Sequence, residues 1–79
     1  ASDQIVLEVL ADGSFALNKE PLTKERLGTR LVEVYQNRPD KIMFVKGDPA
    51  VKYQDVIYAM VVARGSGVKV IGIPPKDTQ

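Results

Sequence analysis

The side chains available for chemistry in this sequence are carboxylates, hydroxyls and amines, because its 79 residues include neither histidine nor cysteine. Histidine supplies most acid–base chemistry near neutral pH and is the commonest metal ligand, so a large class of active sites is removed. Without cysteine there are no thiolate metal sites and no disulfides, and the redox compartment stays open. Two carboxylates converging across a cleft drive hydrolysis without histidine, which makes Asp12, Asp40 and Asp48 the candidates. Each stands in a turn signature, before Gly13, after Pro39 and before Pro49, where aspartate serves the backbone with no catalytic role. Gly65-Ser66-Gly67 has the composition of a phosphate loop, but it follows a helical pattern and lacks the glycine and lysine spacing that arrays amides around phosphate. Ser66 has no histidine base, and nothing marks a desolvated lysine beside it. Tyr35, Tyr53 and Tyr58 fall on helical segments, and beside Lys52 and Arg64 they form either a recognition surface or the half-buried edge of a core. No catalytic residue, metal site or cofactor site emerges, and the expectation is a non-enzymatic domain.

Composition narrows the remaining classes. With 44% apolar and 27% charged residues the chain is an ordinary globular sequence, long enough for a single domain over 1–79 with ends at 1–3 and 74–79 expected to be flexible. A chain of this size buries only about 60% of its unfolded surface, so its core is thin and self-association is a natural supplement. Eleven basic and ten acidic residues give a net charge of +1. Lys41, Lys46, Lys52, Arg64 and Lys69 are interleaved with acids, which argues for a solvated face and against nucleic acid as a partner. The longest uncharged run, 56–63, is far short of the roughly 20 apolar residues of a membrane span, and no signal-peptide pattern opens the sequence.

The elements that must position any site follow from periodicity. Residues 4–10 alternate, with Ile5, Leu7 and Val9 on one face and Val6, Glu8 and Leu10 on the other, and predict a strand. The Ala11-Asp12-Gly13-Ser14 turn returns the chain into a second strand over 15–17, making a hairpin, and Asn18-Lys19-Glu20-Pro21 breaks that strand. Thr23 is placed to cap a helix starting near Lys24, with Glu25 favourable in its first turn. Leu27, Leu31, Val34 and Tyr35 form its buried stripe, and Pro39 limits it to about Asn37. The uninterrupted apolar run at 42–45, bracketed by Lys41 and Lys46, predicts a central strand buried on both faces. A second helix over 54–64 ends at Gly65-Ser66-Gly67, and a last strand over 68–73 is stopped by Pro74-Pro75. The order ββαβαβ predicts an α+β fold, a single mixed sheet of about four strands with two helices on one face. Its other face and at least one edge are then available for strand addition.

In that order the features resemble the periplasmic domain of the ExbD/TolR family over nearly the whole chain. The resemblance is carried by Ala11-Asp12-Gly13, by Leu17-Asn18 before Pro21-Leu22, and by Arg38-Pro39-Asp40. Its centre runs Phe44-Val45-Lys46-Gly47-Asp48, then Val51, Tyr53, Val56 and Met60, then Ala63, Gly67 and Val68 before Ile71-Gly72. Of these, Phe44, Lys46, Asp48, Val51, Tyr53, Met60, Gly67 and Gly72 are read as mainly structural, since they span a strand, a turn, a crossover helix and a parallel strand. The family commonly has an aspartate after the helix methionine, where this chain has Val61. Its cytoplasmic segment and transmembrane helix, with the aspartate implicated in proton transfer, have no counterpart in these residues. The expectation is therefore a soluble chain corresponding to the periplasmic part of a single-pass inner-membrane protein.

The resemblance implies a homodimeric subunit beside an ExbB/TolQ-like channel, coupling the proton motive force to a TonB- or TolA-like transducer in energy-coupled transport across the outer membrane. It carries a second function as an alternative, peptidoglycan binding of the TolR kind in the Tol-Pal envelope system. The expected means of partner capture is strand addition at the edge made by the last strand, with Val68, Val70, Ile71 and Ile73 as the partner-binding residues.

Overall fold

The computed structural model describes residues 4–72. The elements are β1 (Val6–Val9), β2 (Phe15–Leu17), β3 (Glu20–Leu22), α1 (Lys24–Tyr35), β4 (Ile42–Gly47), α2 (Tyr53–Gly65) and β5 (Lys69–Gly72). The ends expected to be flexible, 1–3 and 74–79, and Ile73 of the expected last strand lie outside the described residues. One mixed sheet runs in the order β3-β2-β1-β4-β5. β2 is antiparallel to β1 and β3, while β4 is parallel to β1 and β5. The fold is thus α+β, with five strands in place of about four.

The additional strand comes from the segment read as a break. Asn18 and Lys19 both adopt positive φ, 48° and 74°, and so form a two-residue hairpin turn whose twist matches the strands it joins. Leu17 pairs with Glu20, Ala16 with Pro21 and Phe15 with Leu22. Asparagine tolerates this conformation better than most residues, and here its side chain is also used. Its Oδ1 accepts the Val6 N–H at 2.8 Å and its Nδ2 donates to the Gln4 carbonyl at 3.3 Å, which ties the turn to the entrance of β1. Asn18→Gly keeps the conformation and loses the two bonds, so a loss of about 1 kcal/mol is expected; Asn18→Ala adds the strain of positive φ and should lose about 2 kcal/mol. Urea unfolding of both variants measures the two contributions separately.

Alternation sets the layers. Leu7, Val9, Phe15, Met43 and Val45 point into one face and are fully buried against Leu27 and Leu31 of α1 and Ala59 and Ala63 of α2. Their neighbours Val6, Glu8 and Phe44 face the other way and are half-buried, and Ile42 is 42% exposed. β4 therefore lies mid-sheet as expected, but the described helices cover only one of its faces. Its apolar run continues onto the open face.

Both helices end in ways the sequence specifies. Thr23 takes the N-cap position of α1 in extended conformation, yet its hydroxyl makes no capping bond; its carbonyl accepts the Arg26 N–H at 3.1 Å instead. At the other end the Tyr35 carbonyl accepts the Arg38 N–H at 3.1 Å, and Lys41 Nζ donates to the Tyr35 and Arg38 carbonyls, both at 2.9 Å, which places a cation at the negative end of the helix. α2 closes with paired bonds from Val68 N–H to the Ala63 carbonyl and from Gly67 N–H to the Arg64 carbonyl, the Schellman arrangement, with Gly67 at φ +85°. Val68 is consequently buried in the core just before β5 begins.

Tyr35 is the largest fully buried side chain, and its hydroxyl donates to the Ile42 carbonyl at 2.6 Å, linking α1 to the start of β4. Burial pushes its pKa up from 10.0 to about 12, a rise that the nearby Arg38 charge partly offsets. The neutral form is thus favoured by folding. The stability it contributes is complete below the unfolded value of 10.0 and is lost as pH rises towards about 12. Tyr35→Phe should cost about 1 kcal/mol at pH 7, and the difference should shrink through that alkaline window in paired denaturation curves.

Candidate functional site

The structure disperses the residues whose types could serve an active site. Asp12 accepts the Ser14 N–H and hydroxyl at 2.9 and 2.6 Å, bonds that hold its carboxyl below the ordinary range. Asp48 accepts the Ala50 N–H at 2.8 Å. Both are turn formers, and among the described residues no group of three or more acids is placed to hold a metal ion. Ser66 donates its hydroxyl to the Val62 carbonyl at the end of α2.

The tyrosines do not gather either. Tyr35 is in the core, Tyr58 stacks on Phe15 with ring centres 6.2 Å apart under the Lys24 ammonium, and Tyr53 is 77% exposed at the start of α2. Sequence reasoning missed Asp55, which is buried in the first turn of α2 with its Oδ2 beside Gly13 of the β1–β2 turn. The signal available for it was its position near the positive end of the helix. Among the signature residues, Val51 and Met60 pack against the core, while Phe44 and Lys46 stand on the open face, the latter opposite Glu8. Val61 is 62% exposed on the outer side of α2.

The sheet has two edges, and they differ. On β3, the turn geometry makes Leu17 and Glu20 a hydrogen-bonded pair, so residue 21 directs its backbone nitrogen outward. That residue is proline, and no outward donor exists there. Arg30 of α1 bridges Glu20 at 3.3 Å and Glu33 at 3.4 Å beside it, adding charge to the rim. This edge is closed to further pairing in the way edge strands commonly are.

The β5 edge is different. The Lys69 N–H donates inward to the Lys41 carbonyl at 2.7 Å, so the N–H and C=O of Val70 turn outward. No described strand pairs with that side. Ile42 pairs with Lys69 and Met43 with Val70, but Phe44 pairs with Gly72, leaving Ile71 as the extra residue of a bulge. The face assignments follow from register: Lys69 shares the open face with Ile42, and Val70 packs against the core beside Met43. Of the four residues expected to bind a partner, Val68 is in the core and Val70 is at the edge with outward backbone groups. Ile71 is in the bulge, and Ile73 lies outside the described residues.

At the end of the sheet where β1 and β4 begin, a cleft of about 560 Å³ lies between the entrance of β1, the α1–β4 loop and β4. Ile42 and Phe44 of the open face and Ile5 of the core are apolar residues of its lining, Gln4, Asn37, Arg38 and Asp40 are polar ones, and no described residue of β5 lines it. The β5 edge, with the Ile42 and Phe44 side chains on the strand next to it, offers backbone pairing and side-chain recognition together, the two components of strand capture.

Residues 1–78 match the sequence profile described as biopolymer transport protein ExbD/TolR. Two curated proteins, each named biopolymer transport protein exbD1, come from the B100 and ATCC 33913 strains of Xanthomonas campestris pv. campestris. Each is 34% identical to this chain over 68 residues, covering 86% of this chain and 49% of the relative. The chain thus spans about half the length of the curated relatives it matches.

Proposed function

The chain belongs to the ExbD/TolR family, and from that premise we propose that it is the periplasmic partner-binding domain of a proton-driven energy-transducing complex serving biopolymer transport. In this reading it has no catalytic role. It captures an extended segment of a TonB- or TolA-like transducer on β5, while an ExbB/TolQ-like channel subunit engages a membrane helix outside this chain. None of the described helices is long and apolar enough to cross a membrane.

The observation that carries the reading is the asymmetry of the edges, with β3 closed by Pro21 and β5 presenting the backbone of Val70. Titrating the isotopically labelled chain with the transducer's periplasmic domain should shift amide resonances at 69–72 and leave 20–22 unchanged. Shifts confined to the β3 side, or none in the sheet, would discard β5 as the capture edge. The same chain incubated with purified sacculi tests the TolR-like alternative, since a cell-wall anchor would co-sediment and a pure transducer-binding domain would not.

A further inference from the structure

The bulge in β5 fixes what kind of strand fits beside it. Ile42 and Phe44 are two residues apart on β4, yet they pair with Lys69 and Gly72, which are three apart on β5. A straight strand rises about 3.3 Å per residue, so the open-face positions of an added strand at these two levels are also two residues apart. At the first level it meets Lys69, exposed and on the open face. At the second it meets a glycine, which brings no side chain between the newcomer and the half-buried Phe44. Phe44 and Ile42 are also among the residues lining the cleft.

We propose that the segment captured by β5 carries an acidic residue that pairs with Lys69 and, two positions away on the same face, a bulky apolar residue that crosses Gly72 to cover Phe44. The inference rests on strand capture at β5 and adds the side-chain code that would select the partner. A lysine at the acidic position is repelled, and a small residue at the apolar position leaves Phe44 uncovered. The intervening residue faces Val70 and the helical layer, where an uncharged side chain suffices.

Three ten-residue peptides with a common threonine-rich extended frame test the code against the full 79-residue chain. Their centres read Leu-Thr-Glu-Thr-Leu, Leu-Thr-Lys-Thr-Leu and Ala-Thr-Glu-Thr-Ala, palindromic so that either strand direction is served. The first is expected to shift residues 69–72 and to bind about fivefold more tightly than the lysine peptide, the effect of an exposed ion pair. It should bind about tenfold more tightly than the alanine peptide, the effect of covering an aromatic side chain. Lys69→Glu should reverse the charge preference, and Gly72→Val should abolish the leucine advantage, with unchanged melting curves showing both variants folded. Equal affinities for all three peptides, with shifts still at 69–72, would overturn the code and leave strand capture standing. Absence of shifts at 69–72 with every peptide would overturn strand capture at β5 itself.

Discussion

Leu7→Ala is expected to cost about 3–4 kcal/mol and to leave much of the chain unfolded at 37 °C, whereas Val6→Ala one residue earlier should cost about 1 kcal/mol or less. Leu7 is fully buried at the centre of the sheet, paired with Leu17 on β2 and Val45 on β4, so the space it leaves is walled by strands on both sides that cannot collapse independently. Val6 occupies the open face opposite Phe44 and has water nearby on one side. A domain of 79 residues has roughly 4–12 kcal/mol in total. The first substitution removes a large part of that, and the second does not. Urea midpoints and m-values for the pair would establish whether the two faces differ as strongly as their burial indicates; equal losses would mean that the open face is covered by self-association.

Much of this architecture was legible because its elements follow simple periods. The stripe at Leu27, Leu31 and Tyr35 placed α1, Pro39 stopped it, and the glycines after Arg64 ended α2 through the Schellman bonds of Gly67 and Val68. β3 was not legible, because its turn uses Asn18 and Lys19 at positive φ where glycine is the usual signal. What makes the turn affordable is a tertiary contact, the Asn18 amide on Val6 and Gln4, and local sequence does not encode it. The Thr23 cap failed for a related reason: residue type placed it correctly, but the hydroxyl rotamer is decided by its surroundings.

The candidate site was legible in outline and not in detail. That the last strand forms an edge follows from its position in the βαβ unit, but which residues face outward depends on a one-residue register shift between β4 and β5 that no pattern of side chains announces. The apolar run of β4 predicts burial on both faces, and the structure buries Met43 and Val45 on one face only. Ile42 and Phe44 are instead apolar on a face that neither of the described helices covers, beside an edge where the Val70 backbone groups turn away from β4. Apolar residues there are costly to solubility, and in the proposed function a captured strand would cover them.

The most decisive functional variant follows from the direction of two adjacent amides. Proline at 70 removes an N–H that points away from the sheet, and proline is tolerated on an edge in that position. Val70→Pro should therefore fold and yet bind a TonB- or TolA-like segment at least about tenfold more weakly, because the added strand loses its backbone donor and meets the ring. Proline at 69 removes the N–H that donates to the Lys41 carbonyl at 2.7 Å, and Lys69→Pro should lose about 3 kcal/mol of stability. Binding isotherms and melting curves for the two variants separate the effects. If Val70→Pro binds the transducer normally, capture does not use the outer backbone of β5; if it unfolds like Lys69→Pro, the Val70 amide is already engaged within the domain. Only a folded variant with lost affinity fits an edge held open for a partner strand.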